Sequence, residues 1–186
     1  MLPQGFTRVE YIESTGTQYI DTGIVPTKNT KLEIRNVQLN NDTAFGVVDK
    51  IYVFNIGNTC YYSFGGSHNS GGTQSLNLIN LDATIIMSKD DGLIINGNTF
   101  QTFTDVLDFD TTVTFTLFAR NSENGLTKQG SHRTYYLKMY DNNTLIQHLV
   151  PAKNPDGKIG MYDLVGGRFY ENQGTGEFIA GDPVAE

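Results

Sequence analysis

The chain has 186 residues and one cysteine, Cys60, which excludes an internal disulfide and a cysteine-built zinc site. Thirteen Lys and Arg against 20 Asp and Glu leave a net charge of −7 with no basic stripe, which argues against nucleic acid or an anionic membrane as partner. Twenty Gly, 10 Tyr and 11 Phe, with no Trp, set among short apolar runs broken by Asn, Asp and Thr, read as one all-β domain over 1–186.

The N-terminus has no apolar segment preceded by positive charge, so no secretory signal is read there, and no apolar run approaches the ~20 residues of a membrane span. In GTQYIDTGI, Gln18, Ile20 and Thr22 alternate with Tyr19 and Asp21, and Gly16 and Gly23 bracket the strand as turn residues. Leu32 and Ile34 share one parity while Val37 and Leu39 share the other, which predicts a β-bulge or bend near Arg35-Asn36. Ile51–Ile56 and Thr59–Phe64 are apolar or aromatic on both parities, so these strands lie in the sandwich centre or under a covered face. Cys60, on the second of them, reads as a buried small apolar residue.

A loose Gly- and Ser-rich linker follows from Gly65 to Thr73. Asp91-Gly92 and Asn96-Gly97 supply the positive φ angles of tight turns, so Ala83 to Phe103 reads as a three-stranded meander. Val113, Phe115, Leu117 and Ala119 alternate with Thr114, Thr116 and Phe118, which predicts the cleanest strand of the chain. A second loose linker runs from Asn121 to His132. Asp141-Asn142-Asn143 then turns a hairpin of Arg133–Tyr140 with Leu145–Val150. After a turn at Ala152–Gly157, short strands are predicted around Ile159–Tyr162, Arg168–Tyr170 and Glu177–Ile179, with Gly166-Gly167 turning the first pair.

The stretch LPQGFTRVEYIESTGTQYIDTGI (Leu2 to Ile24) and the tail YYLKMYDNNTLIQHLVPAKNPDGKIGMYDLVGGRFYENQGTGEFIAG (Tyr135 to Gly181) resemble the two ends of a domain found in phage tail and surface proteins and in gut bacteria. That family is similar to the concanavalin A-like lectin/glucanase jelly rolls. The resemblance implies an antiparallel two-sheet β-sandwich whose first and last strands meet. It also implies a virion or bacterial cell-surface setting, with glycans or other virion or surface subunits as partners and homo-oligomers among the assemblies. Tyr162, Phe169, Tyr170 and Phe178 are then expected to pin the terminal strands over the core.

Catalysis finds little support. The glucanases of the resembled fold use a Glu-x-Asp-x-x-Glu strand, and no such string occurs. Retaining glycosidases need carboxyls about 5–5.5 Å apart. Glu10 and Glu13 are three residues apart, so a continuous strand turns them to opposite faces, and Asp108 and Asp110 sit in a turn-like segment. His68, His132 and His148 have no G-x-S-x-G elbow beside them, and His148 reads as a sheet-face residue. No enzyme, no cofactor and no metal centre is therefore read. Asp90-Asp91, Asp108–Asp110 and Asp141-Asn142-Asn143 hold oxygen donors of the kind calcium takes, yet each also reads as a plain turn.

Carbohydrate binding needs an aromatic platform for the sugar's C–H face and planar polar groups for its hydroxyls. Tyr52, Tyr61 and Tyr62 lie on the central strands, with His68-Asn69 in the loop that follows. Arg120-Asn121 open the second loop and His132-Arg133 close it. If the two loops meet at one edge, these nine residues form a shallow site. The alternatives are that the tyrosines are packing residues, and that the domain serves virion or surface assembly without a sugar site.

Overall fold

The computed structural model describes residues 1–41, 44–65, 71–104, 106–127 and 129–185. Every regular element among them is a strand, and the strands form two sheets packed face to face, a β-sandwich. In the larger, sheet I, the order is Asn98–Gln101, Gly92–Ile95, Asp82–Ser88, Thr30–Gln38, His132–Asp141, Thr144–Lys153, Ile159–Asp163 and Phe169–Glu171. Sheet II runs Ile20–Asp21, Thr116–Leu117, Ala44–Val47, Ile51–Ile56, Thr59–Phe64 and Gly71–Gln74. Among the described residues its pairs are antiparallel except Arg120–Asn121, which lies parallel to Ala44–Val47. Leu32, Ile34, Ile85, Met87, Leu137 and Met139 from sheet I share one core with Phe45, Ile51, Val53, Phe64, Phe115 and Leu117 from sheet II. Cys60 lies in that core, and burial pushes its thiol up to about 12, so it holds no thiolate at neutral pH.

Local turn chemistry shaped the meander and the long hairpin as expected. Asp82–Ser88, Gly92–Ile95 and Asn98–Gln101 pair in sequence, with positive φ at Gly92, Asn96 and Gly97. His132–Asp141 pairs with Thr144–Lys153 around Asn142 and Asn143, both at positive φ. Two other expectations are corrected. Thr30–Gln38 alternates without a break, so Asn36 and Gln38 point inward and are buried, while Val37 points out. The bulge lies on the facing strand instead, where the register slips between Thr134 and Tyr136 opposite Asn36 and Arg35. Tyr135 and Tyr136 consequently both leave the core side. The slip in apolar parity had a different cause, namely amides occupying inner positions.

The run Val113–Ala119 is not one strand either. Only Thr116–Leu117 is extended, and Phe118 turns the chain at φ +67 while fully buried, an unusual conformation for an aromatic residue. The Thr116 hydroxyl donates to the Ala119 carbonyl at 2.8 Å and closes that turn. The chain thus reverses, and Thr116 and Arg120 both pair with Gly46 in opposite senses.

The ends of the chain meet. Ile12–Glu13 pairs with His132–Asp141 on one flank and with Ile179–Ala180 on the other. Gln18, 2% exposed, stitches this closure: its Oε1 accepts from Ser14 Oγ (3.0 Å) and the Thr15 amide (2.8 Å), and its Nε2 donates to the Glu177 carbonyl (3.1 Å). Phe178 packs its ring 4.8 Å from Phe118, whereas Tyr162 and Phe169 close a smaller cluster around Phe6. Gln18→Leu keeps the volume but orphans these groups, so a loss of about 2–4 kcal/mol is expected. Thermal unfolding should show it as a drop of roughly 5–15 °C. An unchanged melting temperature would show that the closure does not depend on this amide.

Candidate functional site

Three strands of sheet II place one row of residues side by side: Arg120 pairs with Gly46, and Gly46 pairs with Tyr52. Ile51, Val53 and Asn55 of the central strand are buried, which turns Tyr52 and Phe54 to the outer face. The Arg120 guanidinium reaches past Gly46 and lies 4.7 Å over the Tyr52 ring and 5.0 Å over the Phe54 ring. Phe54 faces Tyr61 across the hairpin, and their rings stack at 4.8 Å and 6°. Tyr52 sits 5.7 Å from Phe54, tilted by 35°. The result is an aromatic floor on the outer face, made of a stacked pair and a tilted third ring, with Arg120 laid over Tyr52 and Phe54.

Phe54 is only 7% exposed although it lies outside the core, and Arg120 and Tyr61 both lie against its ring. Tyr52, Tyr61 and Arg120 are half-buried and reach solvent. Burial raises the Tyr52 hydroxyl above its ordinary pKa against the opposing pull of Arg120, so it remains a protonated donor at neutral pH. The Arg120 Nε is sealed from solvent and has no hydrogen-bond partner among the described residues.

The remaining expected site residues go elsewhere. Tyr62 points into the core at 4% exposure, its hydroxyl 3.1 Å from Gln101 Oε1, because its parity on Thr59–Phe64 is opposite to that of Tyr61. His132 is fully buried on the inner face of sheet I, stacked 4.3 Å from Phe118. Asn121 is committed to the backbone, donating from Nδ2 to the Thr114 carbonyl at 3.1 Å. Arg133 lies on the outer face of sheet I, the opposite side of the sandwich, where Glu13 accepts from its Nε at 2.6 Å. His68 and Asn69 fall outside the described residues. The two residues that complete the site, Phe54 and Gly46, carried a signal only in combination: an aromatic two positions from Tyr52, and a glycine directly across the sheet.

Arg133 belongs to a second outward row. It lies 4.8 Å over Tyr11, Tyr11 meets Tyr135 edge to face at 5.6 Å, and Arg35 lies 4.3 Å over Tyr135. Here both guanidiniums have carboxylates, Arg35 with Asp82 through two bonds (2.9 and 2.7 Å) and Arg133 with Glu13. Tyr136 and Lys138 both bond Glu33 at 2.8 and 3.2 Å. This network satisfies itself, and it reads as reinforcement of the sheet surface.

Three carboxylates of the acidic turns are likewise engaged. Asp108 pairs with Lys28, Asp90 with Lys89, and Asp91 with Lys31 and Ser88. Among the described residues no three His, Cys, Asp or Glu side chains converge as metal ligands. A groove of about 310 Å³ beside Phe178 is lined by Asp156, Lys158, Glu171 and Glu177, with Lys158 and Glu171 paired at 3.9 Å. No helix among the described residues is long and apolar enough to cross a membrane.

No protein-family model, no curated protein and no solved structure matches the chain.

Proposed function

We propose that this chain is a non-enzymatic recognition module that binds glycans on the outer face of sheet II. The carrying observation is the floor of Tyr52, Phe54 and Tyr61 with Arg120 laid across it. A pyranose ring presents a C–H face that an aromatic ring can cover, while its hydroxyls need planar polar groups at the rim. The half-exposed Tyr61 ring supplies the first. The Arg120 guanidinium and the Tyr52 hydroxyl supply the second. A face of this kind is shallow, so each site binds weakly, and display in many copies on a virion or bacterial surface raises the avidity.

Assembly without a sugar site is the competing reading. Large exposed apolar residues are single positions on separate segments, such as Ile56, Leu107 and Val165, rather than a row on one strand. That distribution supports recognition over a broad apolar contact between subunits.

The test is a glycan array probed with the domain clustered on a multivalent carrier. Specific signal should appear and fall at least tenfold in Tyr61→Ala, with far-UV circular dichroism and melting temperature showing an intact fold. An array blank across bacterial and plant polysaccharides would discard glycan recognition and leave assembly as the account.

A further inference from the structure

We infer that this face selects saccharides bearing a carboxylate, uronate-containing chains, with Arg120 as the group that receives the acid. The inference rests on the glycan reading above and narrows it. Its ground is a contrast with two arginines on the outer face of sheet I. Arg168 also lies over a tyrosine without a described carboxylate, but it is exposed, whereas the Arg120 Nε is sealed from solvent. Arg35 and Arg133 also lie over tyrosines, yet each is held by a carboxylate, Asp82 and Glu13. Arg120 lies over two rings, and no described carboxylate pairs with it and no described group accepts a hydrogen bond from its guanidinium.

A guanidinium is a planar fork whose donors match the two oxygens of a carboxylate, and such charge-assisted pairs are roughly twice as strong as neutral hydrogen bonds. On this floor one side of the cation is already stripped of water by Tyr52 and Phe54, and its Nε is sealed. The local dielectric is lower there than in bulk water, which strengthens its attraction for an incoming acid. A uronate suits the arrangement because its carboxylate projects from the edge of the pyranose. A sugar lying against Tyr61, the ring that Arg120 does not cover, can then direct the acid sideways to the arginine. The net charge of −7 opposes an anion at long range. At about 150 mM salt, however, the Debye length is about 8 Å, so the carboxylate senses the adjacent Arg120 first.

The experiment titrates the ¹⁵N-labelled domain at about 150 mM salt with a galacturonic acid trimer, its fully methyl-esterified counterpart and a short poly-glutamate. The acid trimer should bind at least tenfold more tightly than the ester, with shifts concentrated at the amides of Tyr52, Tyr61 and Arg120. Arg120→Gln should abolish that preference, and Arg120→Lys should keep part of it. Equal binding of acid and ester would overturn the inference while leaving the glycan reading in place. The same holds if neither trimer binds but a neutral array glycan perturbs the same amides. Poly-glutamate binding as well as the acid trimer would also overturn it, since charge alone would then be recognised. A face that takes no glycan would end both readings. Should Arg120→Gln fail to fold, the acid and ester titrations of the native domain still decide.

Discussion

Gly46→Ala is expected to destabilise the protein by about 2–6 kcal/mol, a large share of the roughly 5–15 kcal/mol that holds a domain folded. Two independent penalties meet at this position. The backbone adopts φ +117, which an L side chain rarely tolerates, and a Cβ there would sit 2.0 Å from the Ile51 carbonyl oxygen. That oxygen belongs to the neighbouring strand and cannot swing aside as a flexible side chain would. Relief requires the Ala44–Val47 and Ile51–Ile56 strands to separate, and Arg120 would lose its path to Tyr52. Gly57→Ala is the control, since Gly57 has φ +56 and a Cβ there would meet no atom of the described residues within 4 Å. The control should cost about 1 kcal/mol from backbone strain alone. Urea unfolding of both variants separates the clash from the strain. Equal midpoints for the two would show that the close approach at Gly46 does not constrain the sheet.

Acid should weaken the fold well before its carboxylates titrate. His132 is fully buried, and burial lowers its pKa from 6.5 to about 3. Neither ring nitrogen has a hydrogen-bond partner among the described residues, and the ring lies flat against Phe118. The folded state therefore holds the neutral imidazole, whereas the unfolded chain takes up a proton below about pH 6.5. Its contribution is complete above 6.5 and declines as the pH falls toward 3, by up to about 1.4 kcal/mol per pH unit. His148 is also lowered, chiefly by burial, and adds in the same direction. Asp82 and Asp91 are held below 3.8 by hydrogen bonds from Arg35 and from Lys31 and Ser88. At Glu33 burial pushes the other way, but the bonds from Tyr136 and Lys138 outweigh it and keep it below 4.5. These acids support the fold above their unfolded values and yield only at lower pH, so the interval from 6.5 to 4.5 belongs to histidine.

The melting temperature should accordingly fall by roughly 5–10 °C between pH 7 and pH 5. His132→Phe, which preserves the stack on Phe118 and removes both unpartnered nitrogens, should lose most of that dependence. A variant that keeps the full decline, or a native protein indifferent to pH in this interval, would refute the buried neutral imidazole as its source.

Positive-φ turns were legible because they are local. Asn96-Gly97 and Asp141-Asn142-Asn143 need only their own backbone to favour a reversal, so the meander and the long hairpin follow from short stretches of chain. Which face a strand buries is a weaker signal when polar residues face inward. Asn36 and Gln38 broke the apolar alternation, and the bulge belonged to the opposite strand at Tyr135. Phe118 defeats pattern reading for a related reason, since nothing in an alternating run announces a left-handed aromatic stabilised by its packing against His132 and Phe178.

The candidate site divides in the same way. Tyr52, Tyr61 and Arg120 could be singled out by residue type, but Tyr62 and His132 share that chemistry and end in the core. The amino-acid order alone determined the strand-rich class, the tight turns and the aromatic supply, because those depend on backbone preference and composition within a few residues. Tertiary structure alone decided that Arg120 would cross Gly46 to reach Tyr52 and Phe54, and that Arg133 would go to the far side. Such placement depends on the register between strands distant in the chain, where one residue of slip sends a side chain to the other face.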